Sequence, residues 1–237
     1  MDNILVVICA RGGSKGIKGK NIRHLLGRPL IFYTIRQALK WGRAHRVVVS
    51  TDSPKIAQIA KKHGAKVPFM RPRQISLDST PKGCAIRHAL IECEKLYGVQ
   101  YDIVVDLDVT SPVRTPKDLD NCLKIFQRFR PKTLFSVVKS HKNPYFNMVE
   151  KARNGNVGLS KRLAKRPIRR QDVPAVYAMN ASIYFYDRNH ILASQSPSPF
   201  SEDTRTYVME DVSSVDIDRE IDFKFIEFLA KKRMIKL

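Results

Sequence analysis

Apolar and polar positions along this chain alternate between two periods. Ile4–Cys9 is a continuous apolar, mostly β-branched run that gives way to Ala10 and a glycine-rich turn, which predicts a short strand buried on both faces of a parallel sheet. Leu30–Trp41 carries apolar residues at helical spacing, and Val47–Ser50 reads as a second strand. Ser53–His63 reads as a helix capped by Ser53, with Pro54 at its first position and Gly64 as its stop. A third strand is expected near Lys66–Phe69, a long helix over Lys82–Tyr97 and a fourth strand at Ile103–Leu107. Strands alternating with helical crossovers define an α/β fold, a mainly parallel sheet flanked by helices. Such sheets take ligands at the carboxyl ends of their strands, so the loops after Ala10, Ser50, Phe69 and Leu107 are expected to line one crevice.

From Thr133 the pattern breaks into short strand-like pieces, Leu134–Val138, Phe146–Val149 and Val157–Leu159, followed by a basic, proline-bearing stretch. The expected organisation is a catalytic α/β domain over 1–133 and 178–237, with 134–177 as an extension from it. Ala181–Tyr186 returns as a β-branched and aromatic strand, and Ser194–Ser201 reads as a loop. Asp218–Arg233 is expected as a closing amphipathic helix with Ile221, Phe225, Phe228 and Leu229 on its apolar face.

Composition narrows this picture. A chain of 237 residues with 43% hydrophobic content buries one full core. Its longest apolar runs are too short to cross a bilayer and no signal-peptide pattern opens it, so no membrane is expected and a cytoplasmic location is. Cys9, Cys84, Cys93 and Cys122 form no Cys-x-x-Cys pair and no cluster with histidine, which points away from zinc and from a disulfide framework. The formal charge of +21 would attract nucleic acid, an anionic membrane or polyanionic small substrates, and by itself does not choose among them.

The chemistry-bearing residues gather at the expected crevice. Ala10–Asn21 combines four glycines with Arg11, Lys15, Lys18 and Lys20, a composition suited to cradling a triphosphate, because glycine lets backbone amides approach oxyanions closely. Neither a Walker A loop nor Gly-x-Gly-x-x-Gly is present. Asp106 and Asp108 end the fourth expected strand, and Asp216 and Asp218 precede the last helix. In extended chain that spacing puts both carboxylates of a pair on one face, and magnesium binds through one or two carboxylates plus substrate phosphates. Asp218 is equally well placed as the cap of the final helix, and Asp52 as a helix cap.

Five blocks then resemble the acylneuraminate cytidylyltransferases in order along nearly the whole chain: Ala10-Arg-Gly-Gly-Ser-Lys-Gly16 with Lys20-Asn21, Val49-Ser-Thr-Asp52, Met70-Arg-Pro72, Thr110-Ser-Pro-Val-Arg-Thr115 and Val215–Phe223. Tyr101–Asp108, Asn143–Asn147, Arg169–Asp172 and Met179–Tyr184 are most similar to the branch that activates legionaminic acid, whereas neuraminic acid branches usually carry glutamine at Asp108 and an Asn-Gly-Ala run at Asn180–Ser182. The resemblance implies a nucleotide-diphospho-sugar transferase-like, Rossmann-type fold, CTP and a nonulosonic acid as substrates, Mg²⁺ as cofactor, and a homodimer in which the extension crosses to the neighbouring subunit. It places Arg11, Ser14, Lys15 and Lys20 in the phosphate loop, Asn21 and Arg71 at cytosine and ribose, and Thr80 on the same nucleotide side. Asp216 and Asp218 fall at the metal, and Asp108, Arg170 and Asn180 face the sugar. Lys82 departs from the small residue often seen near the base and is left out of that site.

The implied reaction is attack of the sugar's anomeric hydroxyl on the α-phosphorus of CTP, with Arg11, Lys20 and the metal offsetting charge and Asp216 as one candidate base. Arg170 sits in a stretch with six basic side chains in Lys161–Arg170, which a solvated charge run also explains, and Asn180 also suits a turn. A 3-deoxy-manno-octulosonate cytidylyltransferase on the same fold stays open. A nucleic-acid-binding protein has the charge in its favour but no helix-turn-helix, RRM or zinc-finger signature, so nucleic acid is not the expected partner.

Overall fold

In a computed structural model of the chain, residues 2–13, 16–165 and 167–237 are described. The first apolar run forms β1 (Ile4–Cys9). A short hairpin of β2 (His24–Leu25) and β3 (Arg28–Pro29) leads into α1 (Leu30–Trp41), then β4 (Arg46–Ser50) and α2 (Pro54–Lys62). α3 (Lys82–Tyr97), β5 (Ile103–Leu107), α4 (Pro116–Phe129) and β6 (Thr133–Lys139) follow. A second hairpin, β7 (Val149–Lys151) with β8 (Val157–Leu159), precedes β9 (Tyr177–Asp187), α5 (Arg188–Leu192), β10 (Thr204–Met209) and α6 (Glu220–Lys231).

Six strands make one sheet in the order β10-β6-β9-β5-β1-β4. β1 pairs in parallel with β4 and β5, and β10 in parallel with β6, while β9 runs antiparallel to β5 and β6. The sheet is therefore mainly parallel with one reversed strand. Alternation along β1 explains its two covered faces. Ile4, Val6 and Ile8 pack in one cluster with Leu30 and Ile35 of α1, Leu119 of α4 and Phe223 of α6. Leu5 and Val7 turn to the other face, against Ile86 and Leu90 of α3 and Tyr186 of β9.

Several elements differ from the sequence reading. Lys66–Phe69 forms no strand; Lys66 makes a single bridge to Val48, because the chain leaves the sheet edge immediately afterwards. The apolar face of α6 is Phe223, Ile226 and Leu229, whereas Ile221, Phe225 and Phe228 are 60%, 46% and 52% exposed. Helical period alone offered two overlapping stripes, and docking on the sheet selected one. β6 lies inside the sheet, so the part of the extension outside it spans 140–176. α4 was not expected, yet Thr115 and Asp118 form a reciprocal capping box with Pro116 at the first position, a local signal of a helix start.

Candidate active site

The backbone pairing of β1 and β4 continues to Ala10, whose N–H donates to the Ser50 carbonyl at 3.0 Å, and the glycine-rich loop leaves the sheet from there. Gly12 N–H donates to the Asp52 carboxylate at 2.8 Å, so Asp52 ties down the loop while Ser53 caps α2. Gly16 has a steric reason: a Cβ there would lie 2.6 Å from the Asp218 carbonyl oxygen. The loop thus packs directly on the segment before α6, and Lys20 completes the junction with an ion pair to Asp218 at 2.8 Å. Asn21, in the short turn Lys20–Ile22, donates to the Arg11 carbonyl at 2.9 Å.

These residues form one wall of a cleft of about 430 Å³ above the carboxyl ends of β1, β4 and β5. Arg11, Lys20, Asn21, Arg71, Thr80, Asp108 and Asp218 all line it, Arg11 and Asp108 from loops that the strand-end argument named. Arg71 is buried and held by its Nε to Ser50 Oγ at 3.0 Å, so its guanidinium is fixed before any ligand arrives. Arg11 pairs with Asp78 on the facing wall, and Thr80 Oγ1 donates to the Gln74 carbonyl at 3.1 Å. Ser14 and Lys15 lie outside the described residues.

Two cations outside the expected site residues organise the carboxylate end of β5. Lys82, the first residue of α3, places its Nζ 2.6 Å from Asp106 Oδ2 and 2.8 Å from Asp108 Oδ2. The carboxylates share one face of the strand end, as their spacing predicted. Burial pushes the Asp106 carboxyl up; Lys82 pulls it back and Asp108 raises it again, leaving it at about 6. Burial opposes the charge on Lys82, but Asp106 and Asp108 outweigh it and hold the ammonium well above the ordinary lysine range. Burial also drives the Cys9 thiol beside this group up to about 11, which keeps it protonated and inert.

The second cation is Arg114, buried under the β5–α4 loop. Its guanidinium donates to Gln37 Oε1 at 3.0 Å and to Thr34 Oγ1 at 2.9 Å, and also to the backbone carbonyls of Asp108 and Ser182. It positions the loop that presents Asp108. Burial lowers its pKa to about 10, still far above neutrality. Its block was visible in the sequence; its inward direction was not.

Asp216 and Asp218 flank Ile217, which is fully buried and whose N–H donates to the Thr110 carbonyl at 2.9 Å. With Ile217 turned into the core, Asp218 lines the cleft, whereas Asp216 is not among its lining residues and is set back against Ser111. Asp216 is half-buried and 3.5 Å from Ser111 Oγ, and burial, followed by the charges of Asp218 and Asp108, raises its pKa against a Thr110 hydrogen bond that lowers it. Asp218 is not the cap of α6; Arg219 occupies that position, in a capping box with Asp222. Among the described residues no group of three or more His, Cys, Asp or Glu side chains is arranged as a metal site. A pair of crowded carboxylates beside a cation-lined cleft fits the chemistry of magnesium, which draws the rest of its shell from phosphate and water.

Two expected sugar-facing residues are not in this cleft. Asn180 lies within β9 at 2% exposure, and its side chain is consumed: Oδ1 accepts from Ser136 Oγ at 2.7 Å, and Nδ2 donates to the Ser213 carbonyl at 3.1 Å. Next to it Ala181 has φ of 50°, at the register shift between β6 and β9, so Asn180 secures an irregularity of the sheet. Arg170 donates to the His141 carbonyl and lines a separate surface hollow with Lys139 and Val173.

A doubly covered, mainly parallel sheet with a cation-lined cleft at its strand ends defines a nucleotide-binding α/β enzyme of the Rossmann type. The family model described as cytidylyltransferase matches residues 5–236, and the chain belongs to that family of CTP-dependent nucleotidyltransferases. It is 39% identical, over 100% of its length and 98% of the relative's, to the post-translational flagellin modification protein B of Campylobacter coli. It is also 39% identical to the CMP-N,N′-diacetyllegionaminic acid synthase of Campylobacter jejuni, over 97% of this chain and 95% of that one. The fold matches a solved CMP:2-keto-3-deoxy-manno-octonic acid synthetase complexed with CTP at a TM-score of 0.69 and 19% identity, covering 98% of this chain and 99% of the other.

Proposed function

We propose that this enzyme transfers the cytidylyl group of CTP to a nonulosonic acid, N,N′-diacetyllegionaminic acid, and releases pyrophosphate. The observation that carries the reading is the 39% identity, over nearly the full length, to a synthase of that CMP-sugar. The cleft supports it with Arg11 and Lys20 for phosphates, Arg71 and Asn21 for the nucleoside and Asp108 for a neutral polar substituent of the sugar.

In this reading Arg71 and Asn21 hold the nucleoside and Arg11 and Lys20 align the triphosphate. Lys20 exchanges its present partner Asp218 for phosphate oxygens. The anomeric oxygen forms a bond to the α-phosphorus while the bond from that phosphorus to the bridging oxygen of the β-phosphate breaks. Asp216 is the candidate acceptor of the hydroxyl proton. Asp216 and Asp218 would hold Mg²⁺, which would supply positive charge to offset that of the phosphates. Positioning and charge neutralisation provide most of the acceleration. The reading includes a cytoplasmic enzyme acting as a homodimer through the 140–176 segment, where Val149, Val157 and Ile168 are 61%, 63% and 87% exposed.

The test is pyrophosphate release with CTP and Mg²⁺ over a panel of diacetyllegionaminic, N-acetylneuraminic and pseudaminic acids and 3-deoxy-manno-octulosonate. Fastest turnover with diacetyllegionaminic acid is expected, with loss on chelation of the metal. Turnover confined to another acid moves the substrate, and no release with any acid overturns the reaction.

A further inference from the structure

Lys82 stands where local structure disfavours it. It is the first residue of α3, whose first turn holds no acidic residue, and a cation there opposes the helix dipole. The start of the helix is held tightly: a Cβ on Gly83 would meet the Pro197 carbonyl oxygen at 2.0 Å, so the 194–201 loop packs directly on this turn. The side-chain stem borders the cleft and is 35% exposed, but Nζ itself is shielded from solvent. It touches Asp106, whose side chain is 1% exposed, and Asp108, at 23%, and lies 5.6 Å from the centre of the Tyr184 ring.

The ammonium therefore cannot reach a ligand, yet it decides what the cleft presents. Two carboxylates this close do not both stay ionised without a cation between them. Asp106 is sealed in the sheet, so only Asp108 faces the cleft. One Asp108 oxygen is taken by Lys82, and among the described residues no hydrogen bond is made to the other. Arg114 meanwhile grips the Asp108 backbone carbonyl, which fixes the direction of the side chain.

Building on the proposed cytidylyl transfer to a sugar acid, we infer that Lys82 is a positioning residue for the acceptor: it clamps Asp106 and Asp108 so that Asp108 offers its remaining oxygen to a hydroxyl or N-acylamino N–H of the sugar. The sugar's own carboxylate is thereby excluded from this corner of the cleft, because Asp108 repels it. CTP binding is served by other residues, Arg11, Lys20, Asn21 and Arg71, and does not depend on the clamp.

The test is a double-mutant cycle in the full-length enzyme with Lys82→Met and Asp106→Asn, measuring KM separately for CTP and for the acid that wild type turns over fastest. Loss of one charge-assisted hydrogen bond predicts that K82M raises KM for the sugar acid about tenfold or more. KM for CTP stays within about twofold, since uniform binding of the other substrate is untouched. Adding D106N removes the carboxylate that Lys82 neutralises, and the sugar KM of the double variant returns to near wild type. A purely packing role would leave the double variant as impaired as K82M. Unchanged sugar KM in K82M, an equal rise in both KM values, or no recovery in the double variant overturns the inference. If K82M does not fold, the double variant, which buries no unpaired charge, decides alone by the same criterion. Absence of turnover by wild type with every sugar acid sinks the proposed function itself, and the clamp with it.

Discussion

In the cleft Lys82 and Arg114 are enclosed by acceptors, whereas across the 140–176 segment Lys142, Lys151, Arg153, Lys161 and Lys165 point into solvent. Both regions are rich in cations, but a buried cation has one available geometry and an exposed one has many. The cleft's charges are set by the sheet beneath them, since each is held by atoms at the ends of β5 and β9. The segment meets the body where His141 Nε2 lies 3.0 Å from Asp211 Oδ2 and is closed on itself by Asn143, buried and donating to the Pro174 carbonyl at 3.0 Å, while β7 is exposed along its length.

The most damaging way to break this contrast is Arg114→Ala. It removes the buried hydrogen bonds to Gln37, Thr34 and the carbonyls of Asp108 and Ser182 and leaves Gln37 Oε1 without a donor, and a loss of about 3 kcal/mol is expected in urea unfolding, since a buried unpaired group costs roughly 1–3 kcal/mol. Lys20→Ala should leave the fold intact and lower kcat for pyrophosphate release about a hundredfold, the scale for removing one charge-stabilising group. A fall of less than a few-fold would remove Lys20 from the phosphate site.

The Asp106 carboxyl gives a pH signature. Its folded pKa, about 6, is raised above the ordinary 3.8, so protonated Asp106 favours the folded state. That stability is fully present below 3.8 and is lost as pH rises through about 6. Denaturant midpoints from pH 4 to 7 should therefore fall for wild type relative to Asp106→Asn, and parallel curves would show that Lys82 fully offsets burial. The smallest effect belongs to the segment: Lys161→Glu with Lys165→Glu should leave the urea midpoint and the monomer fold unchanged, with any change confined to the mass measured by light scattering. A large loss of stability would show that these lysines are structural after all.

Much of the fold is legible from local pattern, because strand and helix periods are properties of neighbouring residues. β1, α1, β5 and α3 lie where their apolar spacing placed them, and the glycine-rich loop follows β1 as its composition required. Part of the cleft lining was legible for the same reason: Arg11, Lys20 and Asn21 sit in the loop after β1, while the family resemblance pointed to Arg71. Asn180 and the face of α6 were misread, since both depend on what packs against them. β10 escaped notice because it is an edge strand, short and largely exposed, with little apolar signal.

By itself, then, the sequence determined β1, α1, β4, α2, α3 and β5, the glycine- and cation-rich composition of the loop after β1 and the two-residue spacing of the carboxylate pairs, all of which are local properties of the chain. Tertiary structure alone decided that Lys82 reaches across 24 positions to Asp106, that Arg114 points inward through 68 positions to Ser182, and that Lys20 meets Asp218 after 198. A charge in a sequence carries no record of its direction. Only when the sheet excludes water does the cost of leaving it unpaired select one partner among many.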